Sequence, residues 1–108
     1  MWLFTPNGFL SIVADRDHAR HLLVRARARE DLAWFCKETG CGEPVETAHA
    51  DYRWRVSVPV MTVAWFALRQ AQEIDYENFK DAVAERQGHD RAHTYLQVWS
   101  AMRQLQET

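Results

Sequence analysis

The sequence predicts an α+β fold in which one mostly antiparallel sheet of four to five strands carries helices mainly on one face. Two segments, 21–27 and 52–58, alternate apolar residues with polar or charged ones, which is the period of a strand with two unlike faces. From residue 60 onward, apolar residues recur instead at helical spacing. Because 108 residues suit one domain, we expect a single domain over 1–108.

The sequence up to residue 27 predicts strands joined by tight connections. Apolar, β-prone runs flank Pro-Asn-Gly at 6–8, a combination typical of tight turns because Asn and Gly tolerate positive φ angles. We predict a strand over 9–14, with 2–5 as an additional strand. A polar connector then leads to the strand over 21–27, which forms a hairpin with 9–14.

A helix and two more strands follow. Glu30 and Asp31 suit a helix N-terminus, where the helix dipole favours anions, and Gly40 is a C-terminal cap that ends the helix near Glu38. The segment GEPVETAH is assigned to a third strand, interrupted at its start by Pro44. The fourth strand covers 52–58, including the Tyr52 and Trp54 side chains that we expect to face the helices.

Three further helices complete the prediction. Pro59 suits the first turn of a helix, and Asp75 and Asp90 are assigned as N-caps of the next two, the first of which ends at Gly88. The predicted apolar stripe of the first of these helices comprises Val60, Val63, Ala64, Ala67, Leu68 and Ala71. The corresponding residues of the next are Tyr76, Phe79, Ala82 and Val83, and those of the last are Tyr95, Val98, Trp99, Met102 and Leu105.

The predicted element order is ββαββα followed by two helices. A ferredoxin-like sandwich has the order βαββαβ, and moving its last strand to the front produces the order predicted here. In that arrangement the second and fourth strands are antiparallel neighbours at the centre of the sheet. Arg25, Arg27, Arg53 and Arg55 would then share the face opposite the helices.

These four arginines are the predicted binding site, for an anionic partner. Like charges opposite one another destabilise a sheet, so the guanidinium groups need carboxylates, a cover or a ligand. One interpretation is that they pair with the chain's own carboxylates or cover apolar neighbours with their stems. The other is that a second copy of the chain or another protein supplies the carboxylates, the helices around Glu73, Asp75, Glu77, Asp81 and Glu85 being one source.

Composition limits the classes of partner. The 13 lysine and arginine residues against 15 acidic ones give a formal net charge of -2, which makes nucleic acid an unfavourable partner. No stretch approaches the roughly 20 apolar residues that span a bilayer, and the N-terminus lacks the pattern of a signal peptide. We therefore expect a cytoplasmic protein without membrane contact, in which Cys36 and Cys41 are reduced thiols.

No residue pattern indicates a catalytic site, a metal or a cofactor. His89 and His93 stand four residues apart, a spacing that suits two metal ligands, but the sequence shows no third ligand near them. Phosphate-binding loops and a nucleophile elbow are absent from a sequence with only four glycines. The chain is more consistent with a non-catalytic protein, and we expect no catalytic residues, no bound metal and no cofactor.

Several blocks resemble a family of short, functionally uncharacterised bacterial proteins. The blocks are MWLFTPNGFLSIV, LLVRARARED, DYRWRVSV and IDYENFK, and together they cover most of the chain. The resemblance implies a complete small protein and carries no activity, substrate or cofactor.

The function expected from the sequence is that of a small non-catalytic binding protein acting through protein–protein contacts. Such proteins include adaptors, antitoxin-like proteins and inhibitors from mobile elements. One alternative is a protein that binds RNA or a phosphate ligand with the arginine face of the sheet. A second alternative is a small enzyme with an anionic substrate, using for instance His49 and Asp51 beside the arginines.

Overall fold

The structure is a computed structural model that describes residues 1–107. These residues form two compact units, the first being Met1–Ile74 and the second beginning at Asp75. The expectation of one domain over 1–108 is not tested by this division and stays a prediction. No helix within residues 1–107 combines the length and apolarity needed to cross a bilayer.

The first unit contains a five-stranded antiparallel sheet and two helices, which confirms the predicted α+β fold. Its elements are β1 (Trp2–Thr5), β2 (Gly8–Ala14), β3 (His21–Ala26), α1 (Arg29–Thr39), β4 (Val45–Glu46), β5 (Trp54–Pro59) and α2 (Val60–Gln72). The second unit contains α3 (Phe79–Gln87), α4 (His89–Met102) and α5 (Gln104–Glu107).

The strand order in the sheet is β1-β2-β3-β5-β4, and all neighbouring strands are antiparallel. The longest pairing joins β3 to β5, from His21 opposite Pro59 to Ala26 opposite Trp54. This is the central antiparallel pair that the permuted ferredoxin-like arrangement predicts. The additional strand expected over 2–5 is present as β1 and forms one edge of the sheet.

The turn between β1 and β2 is held by a side chain. The Thr5 hydroxyl accepts hydrogen bonds from the backbone N–H groups of Asn7 and Gly8, each at 3.1 Å, and donates one to the Gly8 carbonyl. Neither Asn7 nor Gly8 has a positive φ angle. The turn therefore lies where the sequence predicts it, but the physical reason is the Thr5 hydroxyl.

Gly8 also allows α1 to approach the hairpin closely. The buried Asp31 carboxylate, in the first turn of α1, accepts a 3.0 Å hydrogen bond from the Phe9 backbone N–H. A Cβ atom on Gly8 would lie 3.0 Å from Asp31 Cγ, nearer than ordinary van der Waals contact. The hairpin and the start of α1 are thus joined at a position that has no room for a methyl group.

Gly8→Ala is expected to lower the free energy of unfolding by about 1 to 3 kcal/mol, the usual cost of overpacking a filled site. Gly42→Ala is the matched control, because a Cβ atom there meets nothing within 4 Å. Urea unfolding of the two variants measures the difference. If Gly8→Ala and Gly42→Ala lowered the free energy of unfolding equally, the close approach of Asp31 to Gly8 would not limit the size of the residue at position 8.

The core lies between one face of the sheet and the two helices α1 and α2. Phe66 contacts two rings of α1 edge to face, with centroid distances of 4.8 Å to Phe35 and 5.1 Å to Trp34. Gly40 has a φ of 72° and caps α1, as predicted from its position. The buried residues of this core are Leu10, Ile12, Val24, Ala26, Leu32, Phe35, Cys36, Val58, Val63 and Phe66.

The predicted apolar stripe of α2 is wrong for part of its length. The helix buries Val63 and Phe66, whereas Val60 is exposed and Leu68 is 55% exposed. The large, fully buried Phe66 ring packs against Phe35 and Trp34 of α1, and this orients the helix. Trp54 packs against this core, on the side of the sheet that the sequence predicts, but is only half-buried.

Two of the predicted strands are shorter than expected. The third strand is reduced to Val45–Glu46, because the chain turns at residues 48–50 and leaves the sheet. The fourth begins at Trp54, so Tyr52 lies before the strand.

In the second unit, α3 and α4 pack through the buried residues Ala82, Val83, Ala92 and Tyr95. The N-cap of α3 is Asn78, whose side chain accepts the Asp81 N–H, and Asp75 does not cap it. Asp90 lies in the first turn of α4, which starts at His89. The stripe predicted for one last helix is divided between α4 and α5, and Trp99, Met102 and Leu105 of this stripe are exposed.

Candidate binding face of the sheet

The face of the sheet opposite α1 and α2 carries arginine and aromatic residues. Cross-strand partners lie on the same face, and one row of partners crosses all five strands. We call this side of the sheet the open face, because the helices of the first unit pack on the other side. The row runs through Trp2, Ser11, Arg25, Arg55 and Val45.

The four predicted arginines occupy two kinds of position. Arg25 and Arg55 are direct cross-strand partners in β3 and β5, and both are half-buried. Arg27 and Arg53 lie just beyond the ends of these strands and are exposed. Alternation in the sequence predicts that Arg25 and Arg55 share one face of the sheet, and in the structure they do.

Tyr52 lies on the open face, whereas the sequence predicts it among the helices. Its ring lies 4.6 Å from Cζ of Arg25 and 4.1 Å from Cζ of Arg27, measured to the ring centroid. These contacts leave the residue only 5% exposed. The prediction is wrong because β5 begins at Trp54, so strand alternation does not extend back to Tyr52.

Hydrogen bonds fix the guanidinium groups. Arg25 Nη2 donates to Ser11 Oγ at 2.8 Å, and Arg55 Nη2 donates to the Tyr52 carbonyl at 3.1 Å. Arg27 Nη1 donates to the Asp51 carbonyl at 2.9 Å and to its carboxylate at 3.1 Å. The hydrogen bond to the Asp51 side chain raises the pKa of Arg27 above its ordinary value.

The positive charge of the open face is only partly compensated. Arg27 is the one member of the four arginines that pairs with a carboxylate among residues 1–107. The Nε atoms of Arg25 and Arg55 are buried without a hydrogen-bond partner in the described chain. Two like charges therefore face each other across the central strand pair, held by neutral oxygens and, for Arg25, an aromatic ring.

An aromatic cluster adjoins the arginines on β1 and β2. The rings of Phe4 and Phe9 stack with centroids 4.4 Å apart, and Trp2 meets Phe9 edge to face at 6.0 Å. Phe9 in turn lies 6.4 Å from Tyr52, which links the cluster to the arginines. Trp2 is 64% exposed and offers a large apolar surface at the edge of the sheet.

The aromatic part of the open face was not predicted from the sequence. The sequence contained a signal for it. Trp2 and Phe4 are two residues apart in one strand, and Phe9 and Ser11 are two residues apart in the next, so each pair shares a face of its strand. Only the register of the hairpin, with Trp2 opposite Ser11, shows that these residues share a face with Arg25.

The other reactive side chains do not form a site with the arginines. Burial raises the pKa of the Cys36 thiol to about 12, so this thiol is protonated near neutral pH and is a poor nucleophile. His89 and His93 are exposed at the start of α4, and His49 is exposed in the loop before Asp51. Within residues 1–107, no three His, Cys, Asp or Glu side chains are grouped so as to hold a metal ion.

Comparison of the chain with protein-family models, with curated proteins and with solved structures gives no match. The resemblance to a bacterial family therefore stays a prediction.

Proposed function

We propose that the chain is a small non-catalytic binding protein whose open face binds an acidic segment of a protein partner. The observation that carries the proposal is the direct opposition of Arg25 and Arg55, neither of which has a carboxylate partner among residues 1–107. Carboxylates from a partner would relieve this repulsion and would form directional, charge-assisted hydrogen bonds.

The composition of the open face also suits a protein partner. Protein interfaces are enriched in arginine and aromatic residues, and a few such residues carry most of the binding energy. Trp2 and the stacked Phe4 and Phe9 offer apolar contact on one side of Arg25, while Arg55 extends the charged part on the other side. A partner segment with both apolar and acidic side chains matches this arrangement.

Single-stranded nucleic acid is the second candidate, because an exposed Trp2 lies on the same sheet face as Arg25. Sheet-surface RNA binders stack bases on aromatic rings of this kind and contact phosphates with arginine. The geometry favours it less, since the Tyr52 ring is covered by two guanidinium groups and Phe4 and Phe9 stack on each other. The net charge of -2 also opposes binding to a polyanion.

The test measures fluorescence anisotropy of a labelled peptide that alternates glutamate and phenylalanine. Arg53→Glu is expected to weaken its binding about fivefold to tenfold, since an exposed charge at the rim contributes on the order of 1 kcal/mol. Arg16→Glu, which changes another exposed arginine in the turn after β2, is the matched control and should change the affinity less than twofold.

Two probes separate the candidate functions. A peptide that alternates lysine and phenylalanine should not bind the wild-type protein, because its charge has the wrong sign. A single-stranded oligothymidine that binds more tightly than the acidic peptide, and loses affinity on Trp2→Ala, would establish the nucleic-acid function instead. Equal losses from Arg53→Glu and Arg16→Glu would contradict a specific role for the open face.

A further inference from the structure

The second unit of the chain presents acidic side chains around a groove. The groove has a volume of about 500 Å³ and is lined by residues from the segment before α3 and from α3 itself. Its charged lining residues are Asp75, Glu77, Asp81, Glu85 and Arg86. The groove lining therefore carries four carboxylates and one guanidinium group.

Most of this negative charge is not compensated within the described chain. Arg86 pairs with Asp75 at 3.4 Å, whereas Glu77, Asp81 and Glu85 form no ion pair within residues 1–107. The part of the sequence from residue 75 onward has six acidic and four basic residues, a formal charge of -2. The part from 1 to 74 has nine of each and is formally neutral, so the whole net charge resides in the second unit.

The chain thus carries two surfaces of opposite charge, each with unpaired groups. Within residues 1–107, Arg25 and Arg55 on the open face and the exposed Arg53 just before β5 have no carboxylate partner, and three carboxylates of the groove have no basic partner. Charge complementarity of this kind steers association and is screened by salt.

We propose that the acidic groove of one copy binds the open face of a second copy. This inference rests on the proposed function, since it uses the same face, and it names the partner as the chain itself. An external acidic partner would then compete with self-association for the arginines. The contact is polar, so it is weak at physiological salt and strengthens as the ionic strength falls.

The test uses sedimentation velocity across a range of protein concentrations at low salt. The wild-type protein should form species larger than the monomer, and added sodium chloride should dissociate them. Arg27→Glu/Arg53→Glu reverses two exposed charges at the ends of β3 and β5, next to the strands that carry Arg25 and Arg55, and Asp81→Lys/Glu85→Lys reverses two in the groove. Each variant alone should stay monomeric, because it keeps only one of the two complementary surfaces. A mixture of the two should associate, because the unchanged groove of the first variant can bind the unchanged open face of the second, and the two reversed surfaces also complement each other.

Controls protect the result from changes in folding. Circular dichroism must show the same spectrum for every variant, and Glu85→Lys alone serves if the double variant is unstable, because it leaves the first turn of α3 unchanged. Arg16→Glu should associate as the wild type does. A monomeric wild type at high concentration and low salt, or a mixture of the two double variants that stays monomeric, would overturn the inference.

The same samples distinguish this inference from the proposed function. A wild type that binds the acidic peptide but never self-associates would overturn the inference and leave the proposed function standing. If the wild type self-associates but the acidic peptide neither binds nor displaces the second copy, the inference would stand and the proposed binding of an external acidic partner would be wrong.

Discussion

Phe66→Ala is expected to lower the free energy of unfolding by about 4 kcal/mol, within the range measured when a phenylalanine is deleted from a core. Phe66 is among the largest fully buried side chains and joins α2 to α1 through edge-to-face contacts with Phe35 and Trp34. Its removal exposes apolar surface and leaves a cavity that neither ring can fill without moving. Urea unfolding followed by circular dichroism measures the change.

Leu68→Ala is the matched control on the same helix. The sequence places Leu68 in the apolar stripe, whereas the structure leaves it 55% exposed. We therefore expect a loss below about 1 kcal/mol, as for substitutions away from the core. If Leu68→Ala were the more damaging change, α2 would be rotated as the sequence pattern predicted, and the assignment of the core would be wrong.

The strands were predictable where one face is polar and the other apolar. Alternation along 21–26 puts Val24 with the helices and Arg25 on the opposite face, and the structure has both there. A shift of one residue in the pairing register would move every side chain of the strand to the other face, so the alternating pattern strongly determines which face is buried. The pairing of β3 with β5 followed from the predicted permuted arrangement, in which these are the central strands.

The orientation of α2 was not predictable, because its sequence does not separate an apolar face from a polar one. Every residue from Val60 to Leu68 except Thr62 is apolar, so helical spacing marks no single face. Shape decides instead, because the large Phe66 fits between Phe35 and Trp34 while Trp65 lies exposed. Such a choice depends on tertiary packing and leaves little trace in periodicity.

The candidate site was predicted in part. The arginines were identified from the sequence, but the aromatic residues beside them depend on the register of the first hairpin, which the sequence does not specify. The position of Tyr52 depends on where β5 starts. A residue that lies outside a strand can point to either face of the sheet. Tyr52 points to the open face, where its ring contacts two guanidinium groups.

Tyr52→Ala is expected to lower the free energy of unfolding by about 3 kcal/mol and to abolish binding of the acidic peptide. The ring is buried between Arg25 and Arg27, and its loss removes apolar contact together with two cation–π interactions. Without the ring, Arg25 keeps its bond to Ser11 but loses the surface that holds its guanidinium group flat. The arginines then no longer present a fixed pattern to a partner.

Two conservative variants separate the contributions of the Tyr52 ring. Tyr52→Phe keeps an aromatic face, so it should retain peptide binding within about threefold of the wild type. Tyr52→Leu keeps much of the apolar volume but lacks the ring quadrupole that attracts cations, so it should lose on the order of 1 to 2 kcal/mol of stability and weaken binding further than Tyr52→Phe. If Tyr52→Leu matched Tyr52→Phe in both unfolding and peptide binding, the ring would act only as apolar filler, and the arrangement of Arg25 and Arg27 would have to be explained by their hydrogen bonds to Ser11 and Asp51 alone.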